Sequence, residues 1–142
     1  MKNIFIFLAL MGTTFSFTAC EKDMDTYEFS DPKPAYVEIK SKAAITVEEG
    51  KEAEITFQSR EAFQEVKSLQ YEIKGAYTIT GSIDYPRNST SYVYSLAVPD
   101  GIVPEGTESA AATFTLVSAD DLTVGYKGAD KEVVNITITA AE

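Results

Sequence analysis

Apolar residues in this chain recur at every second position, in short runs separated by turn formers. In "EAEITFQ", Ala53, Ile55 and Phe57 alternate with Glu52, Glu54 and Thr56. Leu69, Tyr71 and Ile73 alternate with Gln70, Glu72 and Lys74, and "TSYVYSLAV" sets Tyr92, Tyr94, Leu96 and Val98 in one phase. Later, Ala112, Phe114 and Leu116 share a phase, as do Val134, Ile136 and Ile138 against Asn135, Thr137 and Thr139. A period of two is the mark of a strand with one face buried, and the β-branched and aromatic content agrees. Phe57, Tyr71, Ile73, Tyr94, Phe114 and Ile136 are therefore expected in one core.

"AYVEIK", "AITV" and "YTIT" add shorter candidates, bringing the expected total to about seven or eight strands. "VEEGKE", "VPDG", "VPEG" and "GYKG" supply the proline and glycine that tight turns use. Only "SREAFQEVK" suits a helical turn, with Ala62, Phe63 and Val66 as its apolar side. Many short strands without long helices predict an all-β fold, an immunoglobulin-like antiparallel β-sandwich over residues 35–142. No Cys-Trp-Cys core is available to it, since the chain holds one cysteine and no tryptophan.

The N-terminal region obeys a different pattern. Lys2 precedes an apolar run, Ile4 to Met11, which then gives way to small, hydroxylated and aromatic residues. A membrane-spanning helix needs roughly 20 apolar residues, so the run is too short to span and reads as a secretory leader over residues 1–19. The single cysteine, Cys20, follows directly. Phe17-Thr18-Ala19-Cys20 resembles a bacterial lipobox, with Phe17 where leucine is usual. The resemblance implies cleavage after Ala19, diacylglycerol in thioether linkage on Cys20, and an acylated (palmitate-type) new N-terminus. One acyl chain anchors only marginally, but at ~0.8 kcal/mol per buried methylene two or three anchor durably.

"CEKDMD" is similar to the lysine-plus-acid tether of lipoproteins in Bacteroidetes-type bacteria. That resemblance implies an outer-membrane protein, on the periplasmic or the cell-surface face. Residues 20–34, rich in acid and ending "DPKP", also read simply as a solvated flexible linker.

Composition then excludes chemistry. There is no histidine, and the one thiol is committed to lipid, which removes Ser-His-Asp and Cys-His catalysis and zinc sites built on His or Cys. Twelve basic against 22 acidic residues give a net charge of −10, and loss of Lys2 with the leader makes it one unit more negative. Nucleic acid and anionic lipid headgroups need basic patches and are not expected partners. No glycine-rich phosphate loop is present. Carboxylate pairs are available for acid–base work, but a single small domain leaves little mass for a cleft. The chain is read as a non-enzyme.

In the body, "ITVEEGKEAEITF", then "GSIDY", then "AVPDGIVPEGTESAAATFTL" is similar in order to Calx-β modules and their cadherin-like relatives. The likeness covers about 70 residues; the Tyr85–Ser95 segment is about one strand shorter than in such modules, and "ITITAAE" lacks their terminal acidic run. It implies a sandwich and raises calcium, with Glu48, Glu49, Asp100, Glu105 and Glu108 as candidate ligands at one pole. Calcium takes six to eight oxygens, and the only further carboxylate at the chain end is Glu142. The ordinary reading of these acids is a solvated rim, so no tight calcium site is expected.

Three functions follow. The first is a non-catalytic structural or interaction module, held to the membrane by its lipid and presenting an edge or loops to another cell-envelope protein. The second is glycan or peptide capture in a nutrient-uptake system, for which Tyr71, Tyr77, Tyr85, Tyr92 and Tyr94 could form a platform. The third is a calcium-stiffened adhesion module. Exposed rings would favour the second; rings turned inward would favour the first.

Overall fold

The computed structural model describes residues 34–41, 43–126 and 131–141. The leader, Cys20, residues 21–33 of the linker, Glu142 and the end of the "GYKG" turn lie outside them. The described chain forms nine strands: β1 Tyr36–Ile39, β2 Ala44–Glu48, β3 Glu52–Ser59, β4 Lys67–Gly75, β5 Ile79–Tyr85, β6 Ser91–Ala97, β7 Ser109–Ala119, β8 Thr123–Val124 and β9 Val133–Thr139. They build two sheets, β6-β3-β1-β8 and β2-β9-β7-β4-β5. This is the immunoglobulin-like sandwich that the alternation predicts.

Most neighbours pair antiparallel, and two pairs, β1 with β8 and β2 with β9, are parallel. β1 and β2 are consecutive yet belong to opposite sheets, so the first edge of the chain changes sheet between Ile39 and Ala44. The apolar phase of each long strand faces inward. Ile55, Phe57, Leu69, Ile73, Phe114, Val134 and Ile138 are fully buried, and Ile136 and Tyr71 nearly so. Phe114 is the hinge of the core, stacking on Tyr71 at 5.0 Å and tilting against Phe57 across the sandwich at 6.2 Å.

Several expectations are corrected. Tyr94 is half-buried and packs against the core from β6, because β6 is an edge strand with no strand beyond it among the described residues. "SREAFQEVK" forms bends, not a helical turn: Phe63 is buried, while Ala62 is exposed and Val66 is 52% exposed. The strand expected at "YTIT" is present but displaced: it begins at Ile79 and pairs unbroken to Tyr85 through Gly81. Gly81 is required there, since a Cβ would lie 2.6 Å from the Tyr71 hydroxyl. The strand in excess of the expected seven or eight, β8, is two residues long and too short to show a period.

The alternation in β7 is broken once. Tyr71 pairs with Leu116 but Gln70 pairs with Ser118, so Val117 is an extra residue in a bulge. Val117 turns outward, 56% exposed, and the shift brings Ala119 into the core.

Candidate functional site

The structure offers four places where function could reside: two poles, the tyrosine-rich side and the sheet edges. At the first pole the chain reverses between β2 and β3. Gly50 adopts a φ of 75°, and the Asp100 side chain occupies the space a Cβ would need. The Glu49 carboxylate gathers the surrounding loops. Its Oε2 accepts from the N–H groups of Ile102 at 3.1 Å and Val103 at 3.2 Å, and its Oε1 from that of Ala141 at 3.4 Å. Backbone bonds from Glu49 to Thr139 and from Gly50 to Val98 close the same junction. The N–H donors, Val103 foremost, hold the Glu49 carboxyl below its ordinary range, although partial burial acts against them.

The expected convergence of the first turn with the late connection is thus present for Glu49 and Asp100. The other candidates are dispersed: Glu48 ends β2 half-buried, and Glu105 and Glu108 are exposed in the following loop. Among the described residues, no three acidic side chains come together in a way that could hold a metal ion. Glu49 spends its lone pairs on neutral backbone donors, a structural task that residue type alone does not distinguish from ligation.

At the opposite pole, Lys67 was not foreseen. It occupies the inward phase of β4, two residues before Leu69, and only 8% of it is exposed. Its stem is buried while Nζ reaches Glu65 Oε1 at 2.7 Å and Asp121 Oδ1 at 2.8 Å. These partners, Asp121 first, raise the Lys67 ammonium above its ordinary value, and Lys67 in turn lowers Asp121. The signal in the sequence was its phase, which a charge-based reading discards. A shallow hollow of about 390 Å³ beside it is lined by Phe63, Glu65, Lys67, Asp121 and Leu122, but the cation there is already neutralised.

The tyrosines turn inward. Tyr85 is fully buried; its hydroxyl lies 3.1 Å from Ser59 Oγ, and its ring packs edge-on against Phe63 and Tyr92. Tyr71 and Tyr94 meet hydroxyl to hydroxyl at 3.3 Å. Tyr77 packs against the core from the β4–β5 connection, and its buried hydroxyl has no hydrogen-bond partner among the described residues. On the outer face of the second sheet, Gln70, Glu72, Thr80, Ser82 and Val117 surround an open hollow of about 350 Å³. Tyr71 also lines it, but that residue is only 7% exposed and its ring stacks on Phe114 in the core. Lys74 Nζ already pairs with Glu72 there, at 2.8 Å.

No family model matches the chain, and no curated protein matches it in sequence. Among solved structures it is similar to the Calx CBD1 domain in its apo form, with a TM-score of 0.55 at 15% identity. The match covers 78% of this chain and 100% of that one. At that identity the likeness shows the fold, and the fold alone.

Proposed function

We propose that this protein is a non-catalytic interaction module of a bacterial cell envelope, anchored in the outer membrane by lipid on Cys20. Residues 1–19 act as the leader, residues 20–34 as the tether and residues 35–142 as the sandwich. The observation that supports a module over glycan capture is the inward placement of Tyr71, Tyr77, Tyr85, Tyr92 and Tyr94, every one buried or packed against the core. A stacking platform for sugars needs ring faces open to solvent.

The geometry suits a tether. β1 begins at Tyr36 and pairs Val37 with Ser59, at the Lys67 end of β3. The Glu49 turn precedes the other end of β3, eight residues away, which in an extended strand is about 25 Å. The described chain therefore enters the sandwich at the pole opposite the Glu49 turn.

The test is the intact mass of membrane-extracted protein. Residues 1–19 should be absent and Cys20 should carry diacylglycerol and an N-acyl group, and Cys20→Ser should release a folded protein from membranes. A water-soluble mature form with a free Cys20 thiol would sink the proposal.

A further inference from the structure

The edge strands differ in what they expose. β5 carries Asp84, β2 ends on Glu48, and β8 has two residues. β6 is seven residues long and uncharged, and the uncharged stretch runs from Asn88 to Pro99 in a chain that is 24% charged. Strand edges are usually blunted by lysine, proline, a bulge or a cover, because an unpaired row of N–H and C=O groups recruits another strand. Among the described residues β6 has none of these along its length, and Val93 on it is 49% exposed.

The ladder shows which backbone groups are on offer. Ser59 N–H donates to Thr90 and Val98 N–H donates to Lys51, with Phe57 opposite Tyr92, Ile55 opposite Tyr94 and Ala53 opposite Leu96. In an antiparallel pair the bonding residues alternate, so Tyr92, Tyr94 and Leu96 direct their backbone groups to β3. Those of Ser91, Val93, Ser95 and Ala97 point away. Ser91 bears this out, since Ser89 Oγ takes up both its N–H and its C=O. Three consecutive outward residues, Val93, Ser95 and Ala97, remain to pair.

We infer that β6 is a self-association edge, where a second copy of this chain adds its own β6 antiparallel and joins two sheets into one. This rests on the reading of the protein as an interaction module and names the partner. The charge pattern selects a second copy. Each copy carries a net charge of −10, yet none of that charge lies on β6, so pairing sets no acids directly opposite. The stretch is also flanked by opposite charges, exposed Arg87 at one end and exposed Asp100 at the other. A two-fold axis at Tyr94 pairs Val93 with Ser95 of the second copy. It also brings Arg87 toward Asp100 of the second copy at both ends.

The experiment uses the full chain with Cys20→Ser, which removes the one thiol, and reads mass by light scattering from micromolar to near-millimolar concentration. Mass should rise toward twice that of the monomer. Val93→Pro removes an outward N–H without breaking the β3 ladder, and proline is tolerated at such an edge; it should remain monomeric with cooperative melting. Should that variant misfold, Val93→Lys places like charges across the axis and should do the same. Arg87→Glu should weaken the dimer, and adding Asp100→Arg should restore it. A monomer at every concentration would overturn the inference, as would a dimer indifferent to both Val93 substitutions. A monomer that instead binds an uncharged extended peptide along β6 would assign the edge to a foreign strand, also against us. None of these results alters the mass test at Cys20, so the two proposals fail separately.

Discussion

Two tyrosine groups line the same core and meet opposite fates. At the Lys67 end, Tyr85 is fully buried with its hydroxyl satisfied: Ser59 Oγ gives its proton to the Glu61 carbonyl at 2.8 Å and so accepts from Tyr85. At the β4–β5 connection, among the described residues, Tyr77 buries a hydroxyl with no partner, while the side chains of nearby Tyr71 and Tyr94 bond only to each other. Both groups supply aromatic packing, but only the first also completes its hydrogen bonding. A buried hydroxyl without a partner loses its hydration and gains nothing in return. The contrast makes predictions of opposite sign.

The largest effect should come from Phe114, which links Phe57 to the Tyr71–Tyr94 group. Phe114→Ala should cost about 3–5 kcal/mol by chemical denaturation, a large part of a small domain's margin of about 5–15 kcal/mol. A loss below about 1 kcal/mol would mean that the two sheets do not depend on this ring. Next, Tyr85→Phe deletes one satisfied buried bond and should destabilise by about 1 kcal/mol. Tyr77→Phe removes an unsatisfied hydroxyl and should be neutral or stabilising by up to about 1 kcal/mol. If both substitutions destabilise equally, the Tyr77 hydroxyl has a partner and the contrast fails.

The smallest effect is spectroscopic. Burial, and then the bond with Tyr71, push the Tyr94 phenol up to about 12. Because the folded value lies above the ordinary 10.0, this contribution to stability is complete below pH 10 and is lost as pH rises through about 12. Ultraviolet titration should show this late ionisation, and Tyr71→Phe should bring it earlier. A Tyr94 that ionises near the ordinary 10.0 would place it outside the cluster.

The two poles illustrate how differently single residues can be read. The Glu49 turn was legible, because glycine after two acids between alternating runs is turn chemistry. Its proximity to Asp100 followed from the sandwich. The role of the Glu49 carboxylate did not follow, because three of its donors belong to Ile102, Val103 and Ala141, whose N–H groups are identical to any others in the sequence. Lys67 was missed for the converse reason. Its phase places it inward, but whether a lysine there is tolerable depends on Asp121, 54 positions away, reaching its ammonium.

What the sequence determined by itself is the all-β character, the inward phase of five long strands and the turns between them. These are local: a period of two and a glycine or proline at a reversal act over a few residues. Only the tertiary structure decided that β1 and β2 belong to different sheets, that Val117 bulges outward to bring Ala119 in, and that β6 is left as an open edge. Each depends on which strand lies alongside. A strand's own residues set which face is apolar, but its neighbours set whether its backbone is paired, and those neighbours are drawn from across the chain.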